Sequence, residues 1–135
     1  RRAKRAGAHN IETRYIDDNK VIKRLHEKAD RLLIDAPCSG LGVLKRNPDS
    51  KWKIDQDFID RIKNEQQQIL QDYSKMLKKG GKMVYATCSI LPSENNEQVE
   101  TFLKNNEGFT LLKEEKVMPS DGFDGFYMAL IQRNA

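Results

Sequence analysis

Two short runs of strand-forming residues, Arg31-Leu32-Leu33-Ile34 and Lys82-Met83-Val84-Tyr85, each break off into small or turn-forming residues, with a long helix-periodic segment between them. A strand, a helix and a second strand in that order predict parallel neighbours in an α/β sheet. In open sheets of this kind ligands bind outside the carboxyl ends of the strands. Asp35, Pro37, Cys38, Thr87 and Cys88 are therefore expected to gather at one rim, although the two groups are far apart in the chain. They include the chain's only two cysteines, and a thiol at a strand end is well placed to act as a nucleophile.

The rest of the pattern fits the same class. Arg1 to Ala6 reads as the last turns of a helix stopped at Gly7. Because there is no starting Met, the chain is expected to begin inside a larger protein. Asn10 to Ile16 reads as a strand ending at Asp17-Asp18, and Val21, Ile22 and Leu25 as a short helix. The strongest helix is predicted from about Asp55 to Lys78, where Phe58, Ile62, Ile69, Tyr73 and Leu77 keep helical spacing and Gly80-Gly81 closes the run. A second helix is expected after Pro92, capped by Ser93, with Val99, Phe102 and Leu103 buried and Gly108 beyond it. Phe109 to Val117 and Phe126 to Gln132 read as a hairpin joined through Pro119-Ser120-Asp121-Gly122. There are no internal repeats and no low-complexity linker.

Composition narrows the functional classes. A chain of 135 residues with 38% hydrophobic residues supports one modest core. No apolar run approaches the roughly 20 residues of a membrane span, and no secretory signal is visible; a cytoplasmic location is expected. Two cysteines without zinc-type spacing argue for reduced thiols rather than a disulfide framework or a metal site. The formal charge of +4 suits a polyanion, but the 33% of charged residues also describes an ordinary solvated surface. The local cluster Lys45, Arg46, Lys51 and Lys53 around Trp52 says more, because it adjoins the first cysteine and is placed to hold phosphates. Trp52 itself has two open readings, stacking on a base or packing beneath the basic loop. His9 and His26 read as surface or satisfied histidines.

Asp35-Ala36-Pro37-Cys38-Ser39 and, one strand later, Thr87-Cys88-Ser89 resemble the two cysteine motifs of the RNA cytosine-5 methyltransferases of the RsmB/NSUN type. Arg46-Asn47-Pro48-Asp49 with Lys51-Trp52 is similar to that family's basic segment, and Asp124-Gly125-Phe126-Tyr127-Met128-Ala129 to its final strand. The resemblance implies part of a class I S-adenosylmethionine-dependent methyltransferase (Rossmann-like) fold: a mostly parallel sheet with an antiparallel C-terminal hairpin. On this reading residues 1–135 are the C-terminal part of the catalytic domain. The glycine-rich loop and the first two strands of the family are absent, and with them the neighbours of the strand ending at Asp17. A missing N-terminal part of the same enzyme is the implied partner, beside ribosomal or transfer RNA, and the fragment alone is expected to be inactive.

The chemistry explains why such sites need two thiols and a carboxyl group. Carbon 5 of cytosine is a poor nucleophile until a transient covalent bond at carbon 6 enriches it in electrons, and a thiolate is the side chain that suits this. By the resemblance, Cys88 attacks, Cys38 assists release, and Asp35 lies between base and methyl donor; on chemical grounds Asp35, if protonated, would donate to ring nitrogen 3. Asp35 is expected in a partly enclosed setting. Asp17 is implied to contact the adenine side of S-adenosylmethionine, with Asp18 as the fallback. A helix N-terminus near Ser93 would favour the Cys88 thiolate. Two other classes stay open: a noncatalytic RNA-binding fragment or relative, and a thiol redox protein.

Overall fold

The computed structural model describes residues 1–16 and 19–135. Two short helices, α1 (Arg2–Arg5) and α2 (Lys20–Arg24), precede the strand β1 (Ala29–Asp35). The long helix α3 (Gln56–Tyr73) leads to strand β2 (Leu77–Thr87), helix α4 (Asn96–Asn105) follows, and β3 (Phe109–Val117) and β4 (Phe126–Arg133) close the chain. The four strands form one sheet in the order β1-β2-β4-β3. β1 and β2 are parallel, whereas β4 runs antiparallel to both β2 and β3. Among the described residues the sheet is thus mixed, with its parallel part reduced to one pairing.

Strand alternation places the core. Met83 and Tyr85 of β2 and Tyr127, Ala129 and Ile131 of β4 are buried on one face, where they meet Leu70 of α3 and Val99 and Phe102 of α4. The Tyr85 and Tyr127 rings meet edge to face at 6.4 Å. The opposite face carries the ladder Leu33, Val84 and Leu130, and Leu33 is 70% exposed. Among the described residues no helix covers that ladder.

α3 forms where its sequence allows: Asp55 caps it by accepting from the Phe58 backbone N–H at 2.7 Å. Ile62, Gln66 and Leu70 make one buried stripe. The helix stops earlier than its spacing predicts. A 3-10 turn spans Ser74–Met76, and Leu77, which continues the helical period, is the first residue of β2 and is fully buried. Gly80-Gly81 accordingly does not end a helix. It lies where the β1–β2 register jumps, Ala29 pairing with Leu77 but Arg31 with Lys82, and Gly80 there takes φ +73°. Asn10–Ile16 forms no strand; Ile11 and Tyr15 are exposed, and no described strand lies beside them to receive their backbone hydrogen bonds. Ser93 caps nothing: Pro92–Glu94 is a 3-10 turn, and α4 begins at Asn96.

Candidate active site

The ends of β1 and β2 bring the two cysteine loops together. The backbone N–H of Ala36 donates to the carbonyl of Ala86 at 2.9 Å, and that of Gly42 to the carbonyl of Cys88, also at 2.9 Å. Cys38 Sγ and Cys88 Sγ consequently stand 3.2 Å apart, both half-buried and both free. Burial, then the hydrogen bond with Cys88, pushes the Cys38 thiol up to about 12. Cys38 therefore stays an S–H group at neutral pH, with its proton available to the neighbouring sulfur.

Beneath the thiols lies a residue that the sequence reading missed. Glu94 is fully buried, and its carboxylate accepts hydrogen bonds from three residues. Ser39 gives it a backbone N–H at 2.8 Å and a hydroxyl at 2.5 Å, and the Ser89 hydroxyl donates as well. Gln66 Nε2 donates to the same carboxylate at 3.1 Å and to the carbonyl of Pro37 at 2.8 Å. The residues that follow Cys38 and Cys88 are thus clamped to one carboxylate, which α3 supports from below. Tyr85 fixes the backbone of Glu94 through its hydroxyl at 2.8 Å. Asn95 completes the clamp by accepting from Thr87 Oγ1 at 2.5 Å and donating to the carbonyl of Ser89 at 2.9 Å.

The other expected site residues are placed unevenly. Asp35 is the last residue of β1 but is exposed, so the expected enclosure is not there; β1 is an edge strand, and among the described residues no strand pairs with its outer edge. Asp17 and Asp18 lie outside the described residues. Lys45 and Arg46 line a cavity of about 700 Å³ next to the Cys88 loop, where Arg46 pairs with Asp124 at 2.6 Å. Lys51 stands apart from them, its ammonium 4.7 Å from the Trp52 ring centre. Trp52 is 80% exposed, which overturns the reading that it packs beneath the loop.

The family model described as 16S rRNA methyltransferase RsmB/F matches residues 1–132. Over 117 residues the chain is 44% identical to ribosomal RNA small subunit methyltransferase B of Yersinia enterocolitica, covering 79% of this chain and 27% of that protein. Among solved structures, that of PH0851 superposes with a TM-score of 0.91 at 29% identity, covering 97% of this chain and 33% of that one. NSun6 from Pyrococcus horikoshii, solved with SFG, gives a TM-score of 0.84 at 26% identity, covering 98% and 37%. The chain spans about a quarter of the length of the curated relatives it matches.

Proposed function

The chain belongs to the 16S rRNA methyltransferase RsmB/F family, and from that premise we propose that it carries the thiol pair for methylating carbon 5 of cytosine in ribosomal or transfer RNA. The observation that carries this reading is the 3.2 Å contact between Cys38 and Cys88. Cys88 is the nucleophile. Its thiolate bonds to ring carbon 6 and the ring electrons shift toward nitrogen 3, leaving carbon 5 electron-rich. S-adenosylmethionine, when bound, supplies the methyl group. On release a water molecule takes the proton from carbon 5, the ring double bond re-forms and the sulfur–carbon bond breaks, its electron pair returning to Cys88 as the thiolate. Cys38, which keeps its own proton, donates a hydrogen bond to the departing sulfur and so assists this step.

Asp35 fits a role toward the cofactor. It is an exposed carboxylate at the end of a parallel strand, suited to a ligand bearing positive charge and hydroxyl groups. Asp17 is proposed for the adenine side, and Lys45, Arg46 and Lys51 for RNA phosphates. Because β1 has a described neighbour on one side alone, we infer that this chain is inactive alone and needs the remaining part of the enzyme. Calorimetry is expected to show no S-adenosylmethionine binding at micromolar concentrations, and an affinity in that range would refute this point. The proposed compartment is the cytoplasm, where thiols stay reduced.

Trapping with RNA that carries 5-fluorocytosine or 5-azacytosine tests the assignment of the thiols, in this chain supplemented with the rest of the enzyme. Cys88→Ala abolishes the covalent complex, and Cys38→Ala accumulates it; the reverse pattern exchanges the roles. The same sulfur contact favours a second reading as a redox pair. Mass spectrometry after mild oxidation distinguishes the two readings, since a redox pair forms the Cys38–Cys88 disulfide rapidly and quantitatively.

A further inference from the structure

We propose that the cavity beside the Cys88 loop is a subsite for the RNA nucleotide adjacent to the target base. The inference rests on the RNA reading above and deepens it. Three segments build the cavity: Leu41 and Leu44 after the first cysteine motif, Ile90 just beyond Cys88, and the turn that carries Phe123 and Asp124. They are stitched by backbone. Gly42 donates to the carbonyl of Cys88, and Gly125 donates to the carbonyl of Gly42 at 2.7 Å. The approach is so close that a Cβ on Gly42 would stand 2.2 Å from the Gly125 carbonyl oxygen and 2.7 Å from that of Cys88. An occupant of the cavity is therefore held at a fixed displacement from the thiols.

The lining identifies the chemical class. At about 700 Å³ the space falls within the roughly 300–1,000 Å³ of ordinary ligand pockets. Its wall is aliphatic, and the Phe123 ring is 74% exposed, a flat apolar surface available to a base. Lys45 and Arg46 stand at the same cavity. Arg46 is steered by Asp124, yet its side chain remains 75% exposed, so it keeps N–H donors for a phosphate. A ring for stacking, two cations and an aliphatic wall match an unpaired nucleotide. A purely apolar ligand leaves the cations without use, and an acidic peptide leaves the ring without a planar partner.

Fluorescence anisotropy with a short labelled single-stranded RNA containing one cytosine, at low and moderate salt, tests the proposal on this chain supplemented with the rest of the enzyme. Phe123→Ala, which removes an exposed ring and leaves the core intact, is expected to weaken binding roughly tenfold, and Phe123→Trp to restore it. With the unaltered chain, an abasic site at one position beside the cytosine is expected to give a similar loss, and this loss disappears in Phe123→Ala. An unchanged affinity for Phe123→Ala, or equal abasic penalties with and without the ring, overturns the subsite and leaves the RNA reading standing. A chain that shows no salt-dependent binding of RNA overturns both.

Discussion

The carboxylate of Glu94 receives both the backbone N–H and the hydroxyl of Ser39, 55 residues earlier in the chain, at 2.8 and 2.5 Å. Because Ser89 donates to the same group, one side chain sets the relative position of both cysteine loops. Glu94→Ala leaves several buried donors without a partner, each costing about 1–3 kcal/mol. We expect a total loss of roughly 3 kcal/mol and a melting temperature lower by about 10 °C. Glu94→Gln keeps one acceptor but turns its amide N–H toward other donors, and should fall between. A thermal melt of Glu94→Ala within a degree or two of the unaltered chain would rule out the clamp.

Alkaline pH should destabilise the fold. Burial first, then the hydrogen bond with Cys88, raises the Cys38 thiol from 9.0 to about 12. Burial likewise raises the phenols of Tyr85 and Tyr127. A group whose folded pKa is raised binds more protons folded than unfolded, so its contribution is complete below the unfolded value and is lost as pH climbs toward the folded one. Denaturant midpoints should fall steadily from about pH 9 upward, and less steeply in Cys38→Ala. Iodoacetamide labelling of Cys38 should stay slow at a pH where an ordinary thiol, of pKa about 8.5, is fully ionised. Rapid labelling at neutral pH contradicts this.

Gly42→Ala and Gly108→Ala should differ sharply. The first forces a methyl group into two carbonyl oxygens, at 2.2 and 2.7 Å, whereas nothing lies within 4 Å of a Cβ at Gly108. Overpacking costs about 1–3 kcal/mol where neighbours yield, and backbone yields poorly, so about 3 kcal/mol or more is expected at Gly42. Gly108→Ala should stay within about 0.5 kcal/mol. Chemical denaturation of the pair checks this, and equal values would show that the loops are not tightly joined.

Trp52→Ala should change stability by less than about 1 kcal/mol, the scale of an exposed cation–π contact, because the ring is 80% exposed and touched by Lys51. A ring that packs beneath the loop would cost about 3–5 kcal/mol to remove. The urea midpoint of the variant decides between these outcomes.

What the sequence revealed follows from where each signal resides. β3 and β4 were legible from their composition and the turn between them, and the cysteines because each ends a strand. The end of α3 was not, since Leu77 continues the helical period while pairing with Ala29 in the sheet. The strand expected at Asn10–Ile16 failed because a strand needs neighbours, which no local pattern reports. Glu94 stayed hidden for a related reason. An acidic residue between a strand and a helix reads as a solvated turn or a partner of the helix N-terminus, and its real partners come from the first motif, the second motif and α3. The cavity lined by Phe123 likewise joins three segments that share no periodicity.

β2 is bonded to β1 on one side and to β4 on the other, while β1 has a described neighbour on one side alone. The loop bearing Cys88 thus leaves a strand braced twice, and the loop bearing Cys38 leaves one braced once. In this chain taken alone, hydrogen exchange should be faster along the edge strands β1 and β3 than along β2 and β4. The sulfur proposed to attack therefore hangs from the strand with the greater support.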